Sequence, residues 1–353
     1  MKKSLIFALG ILVIIAGVAW FLFAKNKPEN ISLTPIRIGW QVAWVPQAEL
    51  AMVMQHTDVL NQNGLQPEFA KFTYGAPLAE AALAGEVDVI FVGQVPAMSL
   101  ITKSDDWMIV GRLLDGRGAI IVPKGSSIAT VADLKGKTFA LPFGTLNHIF
   151  GLDDLKIAGL DPTKDLKFQH IDAAEAANVV QKGTTQSWGE INATSLWDPN
   201  VAMLEEHGKA KTIREFRLDG VVVMSKKFYE SNPEAATAFM KSMLQSYDFY
   251  LNDKDMVNDW YVNDTGITYS RAVLEKAASL ERNNNAKNLR EVSMILAQED
   301  LDRIQDEANK GFTVDVLKKQ LKVQDIINLS FVQNAENEID KGNYPENISI
   351  VQQ

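Results

Sequence analysis

The chain contains no cysteine. That absence excludes a disulfide framework, a thiolate nucleophile, a Cys-ligated metal and the cysteine-borne lipid of bacterial lipoproteins. Surplus positive charge is missing too: a net charge of −9 and a pI near 5.1 exclude nucleic acid as an expected partner. Histidine is scarce, and His56, His148, His170 and His207 show no H-E-x-x-H or paired ligand spacing, so no metal site is expected. No G-x-G-x-x-G follows the first strand pattern, and there is no Walker loop and no G-x-S-x-G elbow. Nucleotide-binding and serine-hydrolase chemistry therefore lack their geometry, and no cofactor is expected. The pair Asp153-Asp154 suggests acid/base work at first sight, but adjacent residues on a helix diverge by about 100° and read as a solvated face.

What is present is a long chain of 353 residues, 46% of them hydrophobic, enough for more than one core. It opens with Lys2 and Lys3, an apolar run over 5–24, then Lys25 and Lys27. This is the pattern of an export signal, with Gly17-Val18-Ala19 as a cleavage site; left uncut, the run is about long enough to anchor the chain in the inner membrane. Either outcome places the remainder in the periplasm or outside the cell. A polar linker over 28–35 follows.

Strand and helix patterns then alternate: strand 36–40, helix 47–62, strand 66–72, helix 76–84, strand 87–91, helix 96–103. The alternation repeats over 107–208, with strands 107–113 and 119–123 flanking Asp115-Gly116-Arg117-Gly118, and a Thr130-x-x-Asp133 capping box. Two short segments echo one another, Gly85-Glu86-Val87-Asp88-Val89 and Gly189-Glu190-Ile191-Asn192-Ala193, each carrying a helix end into a strand. The expectation is an α/β fold of two lobes with a central cleft: lobe 1 begins over 36–122, lobe 2 occupies 123–220, and 221–353 returns to lobe 1 and ends in helices. Helices are expected over 233–251, 271–282, 291–309 and 314–322.

The organising stretch is residues 134–148, an apolar strand broken by Pro142 and Gly144 and leading into a helix at Thr145 and Asn147. A helix start above the strand ends presents free N–H groups and partial positive charge, a place for an anion. Other pocket-type residues stand at expected strand ends: Gln41, Trp44, Gln94, Arg117, Trp197, Asp198 and Asp219.

Several motifs in this order resemble the solute-binding proteins of the nitrate/sulfonate/taurine transporter family. They are Ile36-Arg37-Ile38-Gly39 with Gln41; Gly93-x-x-Pro96; Ser127 with Asp133-Leu134-Lys135-Gly136-Lys137; Pro142, Thr145 and His148; and Trp197-Asp198-Pro199. Leu218-Asp219 and Asn232-Pro233-Glu234 look closest to the taurine-binding branch. The resemblance implies the two-lobed periplasmic-binding-protein fold of type II, a monomer that binds a small anionic or zwitterionic solute, and delivery to the membrane permease of an ABC importer. It implies a ligand set of Gln41, Trp44, Gln94, Arg117, Thr145, Asn147, His148, Trp197, Asp198 and Asp219, with Asp219 holding an amine. The chain departs from the family at Leu146 and Asn147, where taurine and sulfonate binders carry hydroxyls, and in an extra surface segment over 183–188. The rival expectation is an enzyme or sensor on the same fold handling a pyrimidine-type ligand, with His148 as its candidate base.

Overall fold

Eight strands form one mixed sheet: β1 (Thr34–Gln41), β2 (Leu65–Phe72), β3 (Val89–Gly93), β4 (Trp107–Pro123), β5 (Thr138–Leu141), β6 (Lys167–His170), β7 (Ala193–Trp197) and β8 (Ala210–Ser225). Their order in this computed structural model, which describes residues 33–351, is β2-β1-β3-β8-β4-β7-β5-β6. The charged and apolar run over 1–27 lies outside the described residues; among the described residues no helix is long and apolar enough to cross a membrane.

The fold is the two-lobed α/β type, and β4 and β8 show how the lobes join. They pair antiparallel along nearly their whole length, from Trp107 with Ser225 to Pro123 with Ala210. β3 adds to β8 at Gly220–Met224, and β7 adds to β4 at Gly118–Ile121, so one lobe hangs on each end of the same ladder. Parallel pairing of β1 with β2 and β3, and of β5 with β6 and β7, gives each lobe its βαβ character.

Two expectations fail here. Asp115-Gly116-Arg117-Gly118 is not a turn but the middle of a 17-residue strand. β8 likewise begins at Ala210, well before the expected 221. Glycine in a strand marks a close approach as well as a turn, and a Cβ on Gly116 would stand 3.3 Å from Trp44 Nε1. The glycine is there to let the ladder pass the indole.

Smaller differences follow from local chemistry. The expected helix over 47–62 is two, Val45–His56 and Val59–Gln62, because Thr57 leaves the helix to bridge Ile350. The helix expected over 314–322 does not form: Val316 and Leu317 donate back to the Gly311 carbonyl, and Asp315 takes φ 59°, ending the helix Gln298–Thr313. Helices Lys254–Thr265 and Ser330–Asp340 were not expected. In the extra segment over 183–188 the side chain of Trp188 is buried against Gly183, so it is a packed turn with an exposed rim.

The C-terminal helices bridge both lobes. Gln298–Thr313 packs on Gln94–Lys103 of the first lobe and on Leu146–Ile157 of the second. Arg271–Ala277 lies between Val45–His56 and Asn200–Glu206.

One buried acid in this framework has a measurable consequence. Glu49, on Val45–His56, is fully buried, and burial pushes its pKa up to about 8 against the smaller opposing pull of the Tyr250 hydroxyl and Lys254. The folded state thus holds a proton that the unfolded chain releases near pH 4.5, so this group lowers stability as pH rises from about 4.5 to about 8. Glu49→Gln should therefore match the parent near pH 4.5 and exceed it in urea midpoint at pH 8. Equal midpoints at pH 8 would mean the acid carries no burial cost.

Candidate functional site

Four helices begin at one cavity. Trp44 precedes Val45–His56, Gly75 opens Gly75–Leu83, Gly93 precedes Gln94–Lys103, and Thr145 caps Leu146–Ile157. All four helix starts line one small, mostly apolar cavity together with Gln41, Val95, Pro96, Asn147, Trp197 and Leu218. The first N–H groups of a helix have no intrahelical acceptor, so Gly75, Gln94, Val95, Leu146 and Asn147 carry backbone donors into this region. Among the lining residues there is no acid, no base and no cation. The positive end of each helix supplies the only charge.

The side chains around this cavity are held from behind. Thr145 Oγ1 donates to Pro142 O at 2.8 Å and accepts from His148 N, so its hydroxyl serves the helix cap. Asn147 Nδ2 donates to Ser195 Oγ and Leu196 O, both at 2.9 Å. Gln41 Nε2 donates to Phe91 O at 3.0 Å, and Gln94 Nε2 to Glu307 Oε2 at 2.6 Å. Trp44 packs on Gly93, Gly116 and Gly220. Trp197 Nε1 donates 3.2 Å across to Ala43 O in the loop after β1, tying β7 of one lobe to the other.

Six of the ten residues expected at the ligand therefore meet around one cavity: Gln41, Trp44, Gln94, Thr145, Asn147 and Trp197. The other four stand outside its lining. Arg117 and Asp198 are each other's partners, Nε to Oδ2 at 2.8 Å and Nη2 to Oδ1 at 3.0 Å, and Arg117 also reaches Glu205 and Glu215. Asp198 Oδ1 further accepts from Ala202 N, holding the start of Asn200–Glu206. His148 stacks on Phe143 with ring centroids 4.1 Å apart, on the far side of its helix start. Burial, aided by nearby His170, lowers its pKa to about 4. Asp219 is enclosed by two guanidiniums: Oδ1 accepts from Arg217 Nε at 3.1 Å and Oδ2 from Arg303 Nε at 2.5 Å. Its burial drives the pKa upward despite those contacts. Arg303 comes from a helix far along the chain, which is why the sequence left Asp219 without this partner.

Gly75 lines the cavity and was not singled out beforehand, and Leu218 was quoted only within the motif Leu218-Asp219 and not as a ligand residue. Gly75 was legible as a helix start with Pro77 two residues on. Leu218 was hidden by the misread strand β8.

Comparisons with known proteins agree with this architecture. A family described as "ABC transporter, phosphonate, periplasmic substrate-binding protein" matches residues 58–186. A protein assigned as an aliphatic sulfonates-binding protein of Bacillus subtilis (strain 168) is 24% identical over 97% of this chain and 99% of its own length. The taurine-binding periplasmic protein of Escherichia coli (strain K12) is 29% identical over 61% of this chain and 67% of its own. Among solved structures, the alkanesulfonate-binding protein SsuA from Xanthomonas axonopodis pv. citri, bound to MOPS, superposes with a TM-score of 0.66 at 22% identity, covering 83% of this chain and 98% of that one. The desulfurization enzyme DSZB shares the fold at 12% identity, TM-score 0.62, over 87% of this chain and 99% of its own. The resemblance to the nitrate/sulfonate/taurine type of binding protein is thus found in whole-chain similarity as well as in motifs, and the same fold serves an enzyme.

Proposed function

We propose that this relative of the sulfonate- and taurine-binding periplasmic proteins is the solute-binding component of an ABC importer, exported from the cytoplasm and specific for a small organic anion of the sulfonate class. The observation that carries the reading is the convergence of four helix N-termini on a cavity with no charged side chain in its lining. Backbone donors at helix starts suit a tetrahedral oxyanion that stays charged at any ordinary pH, because nothing in the wall needs to change protonation to receive it. Trp44 and Trp197 give the organic part apolar faces. The lining offers no nucleophile and no group for acid/base chemistry, so the reading is binding and not turnover.

The ligand's part is to favour the closed arrangement of the lobes, which the permease then recognises. In this reading the hinge lies within the paired strands β4 and β8, near Asp115–Gly116 and Leu218–Asp219, a few residues ahead of the limits at 122 and 220 expected from the sequence. Both tryptophans at the cavity make a direct test. Titrating the purified exported part with an alkanesulfonate should change tryptophan emission saturably, and nitrate or an uncharged sulfone of equal size should not compete. Competition by the sulfone at equal concentration would remove the anion from the recognition.

A further inference from the structure

Gln41, Gln94 and Asn147 are 3%, 1% and 1% exposed, and each commits its amide NH₂ to the protein. Two of these orientations are fixed by chemistry. Gln41 Nε2 faces the Phe91 carbonyl, and Asn147 Nδ2 faces the Leu196 carbonyl, and a carbonyl can only accept. Ser195 Oγ, the second neighbour of Asn147, already donates its proton to Ala119 O, so it too accepts from Asn147. The amide oxygens of Gln41, Gln94 and Asn147 accept no hydrogen bond from any described residue. They are also not among the side-chain atoms sealed from all contact, as Gln47 Oε1 is, and all three residues line the cavity.

The wall is therefore two-sided in its chemistry: backbone N–H donors at the helix starts, and amide oxygens that no described residue uses and that keep accessible surface. A solute that covers such an acceptor without donating to it leaves it unpaired at a cost, and one that donates to it does not. A plain alkyl tail cannot do so. An ammonium could donate, but it would enter a site where four helix starts present positive ends, the Glu307 carboxyl behind Gln94 is committed to that amide with its pKa pushed up to about 8 by burial, and Asp219 is enclosed by Arg217 and Arg303.

From this we infer that the ligand is an anion whose organic end carries a neutral hydrogen-bond donor, a hydroxyl in the simplest case, received by the amide oxygens of Gln41, Gln94 and Asn147. The inference deepens the anion reading above and rests on it. It replaces the zwitterion expected from Asp219 with a hydroxyalkyl anion.

The test compares three probes by calorimetry on the unmodified chain: hydroxyethanesulfonate, its methyl-terminated isostere propanesulfonate, and aminoethanesulfonate. The hydroxyl compound should bind about ten- to a hundredfold tighter than propanesulfonate, and tighter than the amine. Gln41→Met, which keeps the length but removes the acceptor along with the donor to Phe91 O, should narrow the ratio of hydroxyl to methyl affinity, and a ratio as wide as the parent's overturns the part given to Gln41. Propanesulfonate binding as well as or better than the hydroxyl compound overturns the inference and leaves the anion site standing. Preference for the amine overturns it in favour of a cationic donor. Failure of all three to bind overturns the sulfonate reading itself, and this inference with it.

Discussion

Replacing Leu146 with proline should lower affinity for the bound sulfonate about ten- to a hundredfold while leaving the fold intact. Leu146 is the first residue of the helix Leu146–Ile157 and lines the cavity. Its N–H has no acceptor within the helix, and proline is the residue best tolerated at that position. The preceding residue accommodates it as well: Thr145 has φ −119° and ψ 169°, extended backbone of the kind proline requires before it. The substitution removes one backbone donor and trims a buried apolar side chain, so Leu146→Ala, which keeps the N–H, is the control for the side chain. A hydrogen bond to a charged group contributes about 1.5–3 kcal/mol, which sets the size of the expected loss. Calorimetry gives the affinity and a urea melt the stability. An unchanged affinity with an unchanged melt would mean that this helix start does not touch the anion. A collapsed melt would mean that the N–H had a structural partner.

The same helix start shows what the sequence reveals and where it stops. Pro142, Gly144 and Thr145 announce a strand running into a helix, and the structure keeps that reading with Thr145 as the cap. The helix expected from Pro96 begins two residues earlier, at Gln94. These are local signals, set by backbone conformation within a few residues. Arg117, Asp198 and Asp219 stood beside the same motifs and turned out to be ion-paired, because a charge is claimed by whichever partner the tertiary fold brings near. Glu205, Glu215 and Arg303 are those partners for Arg117 and Asp219, and none is adjacent in sequence to the residue it neutralises. The long strands were misread for a related reason. Gly116 and Gly118 look like a turn until Trp44 and Phe216 are seen pressed against them. In β8 the charges of Lys211, Arg214, Glu215 and Arg217 break the apolar run that would have marked a strand. Those charges lie on the half that pairs with β4 beside β7.

Glu281→Ala should destabilise the fold by about 3–5 kcal/mol. Asp115 and Asp219 face one another directly across β4 and β8, and like charges so placed repel. Guanidiniums surround them. Arg112 Nη2 lies 2.8 Å from Asp115 Oδ2 and 2.5 Å from Glu281 Oε2, Arg282 clasps Asp115 from Nε at 2.9 Å, and Arg217 Nη2 reaches Asp115 Oδ1 at 2.5 Å. Burial would raise the pKa of Asp115, but Arg282, Arg112 and Arg217 outweigh it and hold the carboxyl well below its ordinary range. Asp115 thus keeps two cations if Arg112 is lost. Arg112, without Glu281, keeps only Asp115 among the described carboxylates, and shares it with Arg217 and Arg282. Arg112 is buried, its Nε and Nη1 find no acceptor among the described residues, and Glu281 and Asp115 are its two carboxylates. Truncating Glu281 also strips the acceptor from the Asp115 and Asn283 backbone N–H groups. Neutralising both partners should behave differently. Arg112→Met with Glu281→Leu removes the stranded charge, fills similar volume, and should recover most of the loss, since an apolar pair often matches a buried ion pair in stability. Urea midpoints of the single and double variants give the coupling directly. A double variant as unstable as the sum of its singles would show that the two groups act apart. Recovery would show that Glu281 is retained here to neutralise Arg112, at the point where the two lobes share their strands.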